Sequence, residues 1–434
     1  MSFSRQALAS IALTGVYAVL AMAITVVLVR MLGVAGYGLY ASVVAHISLL
    51  AVLVAGGLPM LITREAVAAD HAGDPGLLRG LNARARDWVL AVSGAIALMA
   101  WAVWAIGTPD PAWWRLFWPA LAILAGLGLL EVQGAALRAL GQPVTGQIPA
   151  SLVRPGLHLA LLLTLGAVAG GVAPGQAVMI FLVAVLLALA ASTVMLVRTM
   201  ALRPAAPPRR QDRLWLKALL SLMIAGGAVR ANQHLGGVML EHLSDRREVA
   251  LFQPVVQMAV LTLLGRQAIT AVLTPRLKRA LLQEDPAGEA QRLMTRAGQG
   301  IMATALVAAG ALLALGPSGM AAVFGTGFEG LYPVLAVMLG GQILAMTLGH
   351  PLVALNQAGQ ERAAARILAA SFGLNLALGL ALIPGHGAFG AAWAAALSQV
   401  AAHLALALAC HTRLSLRSDI LAGLGPRRMK GRDR

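Results

Sequence analysis

Charged residues are scarce in this chain: they make up 12% of its 434 residues, while 59% are hydrophobic. A soluble domain carries about 25% charge. A chain so composed cannot hide its apolar surface in one water-soluble core, which excludes an ordinary soluble protein and makes the bilayer its natural solvent. There is one cysteine, Cys410, so no intramolecular disulfide is possible. Acidic residues number 17 against 33 Lys and Arg, for a net charge of +16. Nucleic acid is nevertheless not the expected partner. The basic residues sit in short loops between apolar runs, which is the orientation signal of membrane proteins. No pair of metal ligands has credible spacing, so neither a metal nor another cofactor is expected.

Apolar runs of spanning length lie at 6–28, 38–62, 87–107, 114–137, 144–169, 173–197, 215–240, 249–274, 297–316, 331–355, 363–383 and 387–411. Hydrocarbon offers no partner to a backbone amide, so each run is expected to be a helix. Arg5 and the apolar stretch behind it could pass for a signal peptide. The first run is long enough to span and a second follows at once, so an uncleaved helix is the better reading.

The cations set the orientation. With the N-terminus in the cytosol, 26 of the 33 Lys and Arg fall on the cytosolic side, four outside (Arg30, Arg115, Arg246, Arg247) and three within spans (Arg154, Arg230, Arg266). Such a split places both termini inside. The polar segment 203-RPAAPPRRQDR-213 divides the helices six and six. Arg5 and Lys217, Arg64 and Arg276, and Arg84 and Arg296 are each 212 apart, which suggests duplication. Six is even, so the halves would be parallel repeats around a central cavity. The expected organisation is an N-terminal six-helix lobe (1–200), a cytosolic linker (201–214), a C-terminal six-helix lobe (215–412) and a basic cytosolic tail (413–434).

Several stretches also carry a family likeness: 29-VRMLGVAGYGLYAS-42, 56-GGLPMLITREAVA-68, 273-LTPRLKRALL-282, 324-FGTGFEGLYPVLAVMLGGQIL-344, 355-LNQAGQERAA-364 and 382-LIPGHGAFGAAWAAALS-398. In order and spacing the chain resembles the polysaccharide, or O-antigen-type, flippases of the multidrug/oligosaccharidyl-lipid/polysaccharide exporter superfamily. The resemblance implies a two-lobed fold of twelve helices in the inner membrane. It also implies alternating-access transport of an undecaprenyl-diphosphate-linked oligosaccharide, with polysaccharide assembly proteins as further candidate partners.

Ionisable groups within spans are costly and mark candidate sites. Arg230 and His234 are four apart and share a helix face. By helical rise Arg230 lies ~20 Å from the start of its helix, Arg266 ~12 Å and Arg154 ~15 Å from the cytosolic ends of theirs. Planar, permanently charged donors suit a diphosphate. The bland alternative is a packed ion pair. Glu131 and Arg154, flanking one hairpin turn at similar depth, could form one. Arg230 and Arg266 have no acidic residue within their own hairpin, which favours cavity roles, with His234 beside Arg230. His46, His158, His350 and His403 read as bundle hydrogen-bonders. Trp101, Trp104, Trp113, Trp114 and Trp118 read as an interfacial belt. The stretch 276-RLKRALLQEDPAGEAQRLMTR-296 reads as a short surface helix on anionic lipids.

Two other functions compete. A cation-coupled drug exporter of the same superfamily would want a carboxylate in the N-terminal cavity, and Glu131 is the candidate. A membrane enzyme of lipid-linked sugar assembly would want acidic residues in an outward loop. The first such loop, 30–37, has none, and the outward acids Asp110, Glu241, Asp245, Glu248 and Glu329 are scattered.

Overall fold

The computed structural model describes residues 3–106, 111–282 and 286–422. Asp110, residues 283–285 and the tail beyond 422 lie outside the described residues, as do the side chains of Arg5, Trp104 and Trp113. The described chain is helical throughout, in the order α1 (Phe3–Ala55), α2 (Leu58–His71), α3 (Pro75–Ile106), α4 (Pro111–Ala139), α5 (Arg154–Ala169), α6 (Pro174–Ala201), α7 (Asp212–Leu243), α8 (Arg246–Thr262), α9 (Leu264–Ala280), α10 (Pro286–Ala314), α11 (Gly316–Phe324), α12 (Leu331–Thr347), α13 (Pro351–Gln357) and α14 (Glu361–Leu414).

Two of these helices are folded hairpins. At Gly33 the backbone takes φ 64, ψ −176, a region almost confined to glycine. Tyr17 and Ala55 line one cavity, whereas a straight helix would set them about 57 Å apart. α14 turns back in the same way at Gly387, with φ 51, ψ −133. There the Ser371 hydroxyl donates to the Ser398 carbonyl at 3.1 Å, although a straight helix would separate those residues by about 40 Å. α8 and α9 form one bent pass, broken by 40°, and α12 and α13 another, broken by 48°. Counting each leg of α1 and α14, each bent pair once, and α3, α4, α5, α6, α7 and α10 gives twelve passes among the described residues. Both ends of the described chain therefore lie at one face, here the near face.

N lobe and C lobe denote helices α1–α6 and α7–α14, respectively. One expectation changes. The stretch 276–296 is not a separate surface helix: Arg276 to Ala280 continue α9, and α10 begins at Pro286. The apolar run of each pass extends into the polar flank because the helix hydrogen bonds have no reason to stop at the membrane surface. α11, a short helix between α10 and α12, was not expected. The start of the tail is fastened to the C lobe. Leu416 and Ser418 are buried, the Ile420 amide donates to the Thr347 carbonyl at 3.1 Å, and the Ser418 hydroxyl donates to the Leu348 carbonyl at 2.8 Å. The break between α12 and α13 leaves carbonyls bare, and this segment covers them.

The linker is also fastened, as an extended strap on the near ends of α2 and α3. Arg203 pairs with Asp70 at 2.8 Å, Arg209 with Asp74 at 2.9 Å and Arg210 with Asp87 at 3.3 Å. The Arg209 amide donates to the Gly76 carbonyl at 2.9 Å.

Candidate functional site

A cavity of about 430 Å³ lies between the lobes. Both passes of α1 line it, with α4, α5, α6, α7 and α8. Its far end is closed by contacts between the lobes. Arg30 donates to the Val323 carbonyl at 2.8 Å and also to that of Ala322. The Ser42 hydroxyl donates to Glu241, which Arg246 holds at 3.0 Å. His46 and His242 meet through their Nε2 atoms at 3.1 Å.

Glu131, Arg154, Arg230 and His234 all face this cavity. The expected Glu131–Arg154 pair does not form. Glu131 Oε2 instead accepts from Arg230 Nη1 at 3.0 Å, so Arg230 is not an isolated cation. The two residues sit on α4 and α7, and the bond crosses from lobe to lobe. Their side chains remain 43% and 45% exposed, because the cavity reaches them. Pairing within one hairpin lost to pairing across the cavity because Arg154 is turned into the N lobe. Its guanidinium carbon stands 5.8 Å from the ring centres of both Tyr17 and Phe181, a cation–π setting.

The backbone explains where Arg154 points. Pro155 has no amide hydrogen to give the carbonyl one turn back. The chain enters α5 through a π-helical turn, Pro149–Val153, in which the Arg154 amide reaches the Pro149 carbonyl. Such widened turns re-aim the side chain that follows, and recur at functional sites. His158 stacks on Phe181 with ring centres 5.0 Å apart and planes 16° apart. Arg154 Nε and His158 Nε2 are buried without a hydrogen-bond partner among the described residues. A buried polar atom without a partner is costly, and both residues belong to the wall of the cavity.

Arg266 is not among the residues lining this cavity. It sits in α9, inside the C lobe, next to Gly265, which packs against Thr304 of α10. His46 and His403 each donate within their own helices, His46 Nδ1 to the Ser42 carbonyl at 2.8 Å and His403 Nδ1 to the Gln399 carbonyl at 2.9 Å. Trp101 and Trp118 are exposed, as an interfacial belt requires.

The cavity residues missed by sequence reasoning include three glutamines: Gln233 of α7, and Gln253 and Gln257 of α8. Their signal was present as two amides four apart in an otherwise apolar run.

The family model described as polysaccharide biosynthesis protein matches residues 4–125. No curated protein matches the chain in sequence. Among solved structures, the chain is similar to a multidrug resistance MATE transporter of the MOP superfamily in its inward-facing conformation, with TM-score 0.74 and 14% identity over 94% of this chain and 98% of that one. It is similar to the lipid II flippase MurJ, with TM-score 0.69 and 10% identity over 90% of this chain and 86% of that one. It is also similar to a Vibrio cholerae MATE transporter, with TM-score 0.63 and 18% identity over 97% and 99%. The chain is thus a polytopic membrane protein with the two-lobed fold of the MOP-superfamily transporters, and over residues 4–125 it matches the polysaccharide biosynthesis family.

Proposed function

We propose that this protein is a flippase that moves an undecaprenyl-diphosphate-linked oligosaccharide across the inner membrane by alternating access. The near face is then cytosolic, as the clustering of Lys and Arg on that side favours. The carrying observation is the cavity between the lobes, where Arg154 has no acidic partner among the described residues and Arg230 is held by a single half-exposed carboxylate. Planar cations of this kind suit a diphosphate, and the family match over residues 4–125 points to the same substrate class. The strongly basic near face supports contact with anionic lipids. Polysaccharide assembly proteins remain candidate partners.

The test is loss of the gene. Lipid-linked oligosaccharide should still be made and should accumulate on the cytosolic leaflet. Failure to assemble the precursor at all would make the protein an enzyme of assembly.

A second reading, a cation-coupled small-molecule exporter, draws on the similarity to MATE transporters and on Glu131 in the cavity. The engagement of Glu131 by Arg230 counts against it, because an organic cation would have to displace an internal guanidinium. Proteoliposomes that export cationic dyes but leave labelled undecaprenyl-diphosphate glycan unmoved would favour this reading.

A further inference from the structure

We propose that Gln233, Gln253 and Gln257 form a sugar-binding wall on the C-lobe side of the cavity, opposite the anion-binding Arg154. This rests on the flippase reading above, and assigns a second subsite to the same cavity.

All three glutamines line the cavity. None of their amides has a hydrogen-bond partner among the described residues. Gln253 and Gln257 are four apart on α8 and share a face; Gln233 comes from the neighbouring α7. Gln233 is exposed and Gln253 and Gln257 are half-buried, so the three amides face the open cavity and not packed core. Their donors and acceptors are free to meet a ligand there.

The backbone is shaped around one of them. A side chain on Gly237 of α7 would collide with the Gln253 amide, and one on Gly236 with the Phe252 ring at 2.8 Å. Two successive glycines therefore let α8 approach α7 and send Gln253 across it towards the cavity. That approach would be pointless for an amide with nothing to bind.

The chemistry of the wall differs from that of Arg154. An amide offers one acceptor and two donors side by side, which matches neighbouring hydroxyls of a pyranose. It carries no charge, so it gives a diphosphate no advantage. The cavity is thus divided by chemistry: a cation among aromatic rings on the N lobe, neutral donor–acceptor pairs on the C lobe. A lipid whose diphosphate is joined directly to a sugar presents those two groups next to each other.

The test is binding to the full-length protein in nanodiscs, using two probes: undecaprenyl diphosphate, and the same lipid carrying N-acetylglucosamine. The wild type should prefer the glycosylated lipid by about tenfold, the worth of one or two hydrogen bonds. In Q253L/Q257L that preference should fall to near one, with affinity for undecaprenyl diphosphate unchanged. If this variant is not recovered as a monodisperse protein, Q253N/Q257N keeps the amides but shortens their reach, and the same loss is expected. Equal affinity of the wild type for both lipids, or an intact preference in the variant, would overturn the sugar wall and leave the flippase reading standing. No binding of either lipid to the wild type would sink both.

Discussion

Glu131 of α4 and Arg230 of α7 meet at 3.0 Å and join the two lobes through the cavity they line. A pair this open to water is worth at most about 1 kcal/mol in stability. The pair should therefore matter more to the transport cycle than to folding. E131Q and R230A should each shift the melting temperature by no more than a few degrees. R230A should reduce glycan export about tenfold or more, since it removes both the bridge and a cation. The swapped variant E131R/R230E should restore the bridge, read as an engineered cross-lobe disulfide forming at the wild-type rate, without restoring export. Full export by R230A at normal abundance would show that the bridge is incidental.

Arg154 allows a sharper separation of charge from shape. R154A removes a partly desolvated cation that has no acidic partner among the described residues. The protein should reach the membrane at wild-type abundance and lose most of its export. R154K keeps the charge but loses the planar contact with Tyr17 and Phe181, because lysine is a point charge on a flexible stem. Its export should lie between the two. R154A that is abundant and active would remove the anion site from the N lobe.

Arg266 should behave differently from Arg154. It lies apart from the cavity lining, so R266A should leave affinity for undecaprenyl diphosphate within about twofold, a change of less than ~0.5 kcal/mol. Binding measured beside R154A settles the comparison; an equal loss in both would mean that the cavity extends to Arg266 during the cycle.

The twelve passes were legible in the apolar runs, because hydrocarbon imposes one solution on every backbone segment. Partnership was not. Glu131 and Arg230 are 99 residues apart, and nothing in spacing along the chain says which of several buried arginines a carboxylate will reach. The hairpin neighbour Arg154 was the local choice. A π-helical turn at Pro149–Val153 turned it away, and such a turn follows from tertiary packing as much as from Pro155. The three glutamines were overlooked for a related reason: an amide is a weak signal until its surroundings show that nothing satisfies it.

Topology can be tested with two single cysteines in a C410A background. Ala205→Cys lies in the exposed strap and Glu329→Cys in the loop between α11 and α12. In intact cells the first should resist an impermeant maleimide and the second should react. Labelling of both from one side would break the twelve-pass arrangement.

The strap itself should resist proteolysis. Arg209 and Arg210 are potential trypsin sites, yet both are paired and the strap's backbone is bonded to α3. D70N/D74N should raise cleavage in the 203–210 segment severalfold in inverted vesicles, with each lost pair costing up to about 1 kcal/mol. Equal cleavage of wild type and variant would mean that the strap is loose at all times.

The fastening of the chain's last described segment has a consequence for how the protein is made. The Leu348 carbonyl precedes its partner, the Ser418 hydroxyl, by 70 residues. At a synthesis rate of ~5–20 residues per second, that is a wait of roughly 4–14 s. Throughout it, the break between α12 and α13 stands without its cover, while α14 is still emerging from the ribosome. The C lobe thus stays unfinished at this break until residue 418 has cleared the ribosome. A stop codon placed before Ser418 would not merely shorten a tail; it would leave the nascent lobe permanently at its last unfinished stage and expose it to quality-control proteases.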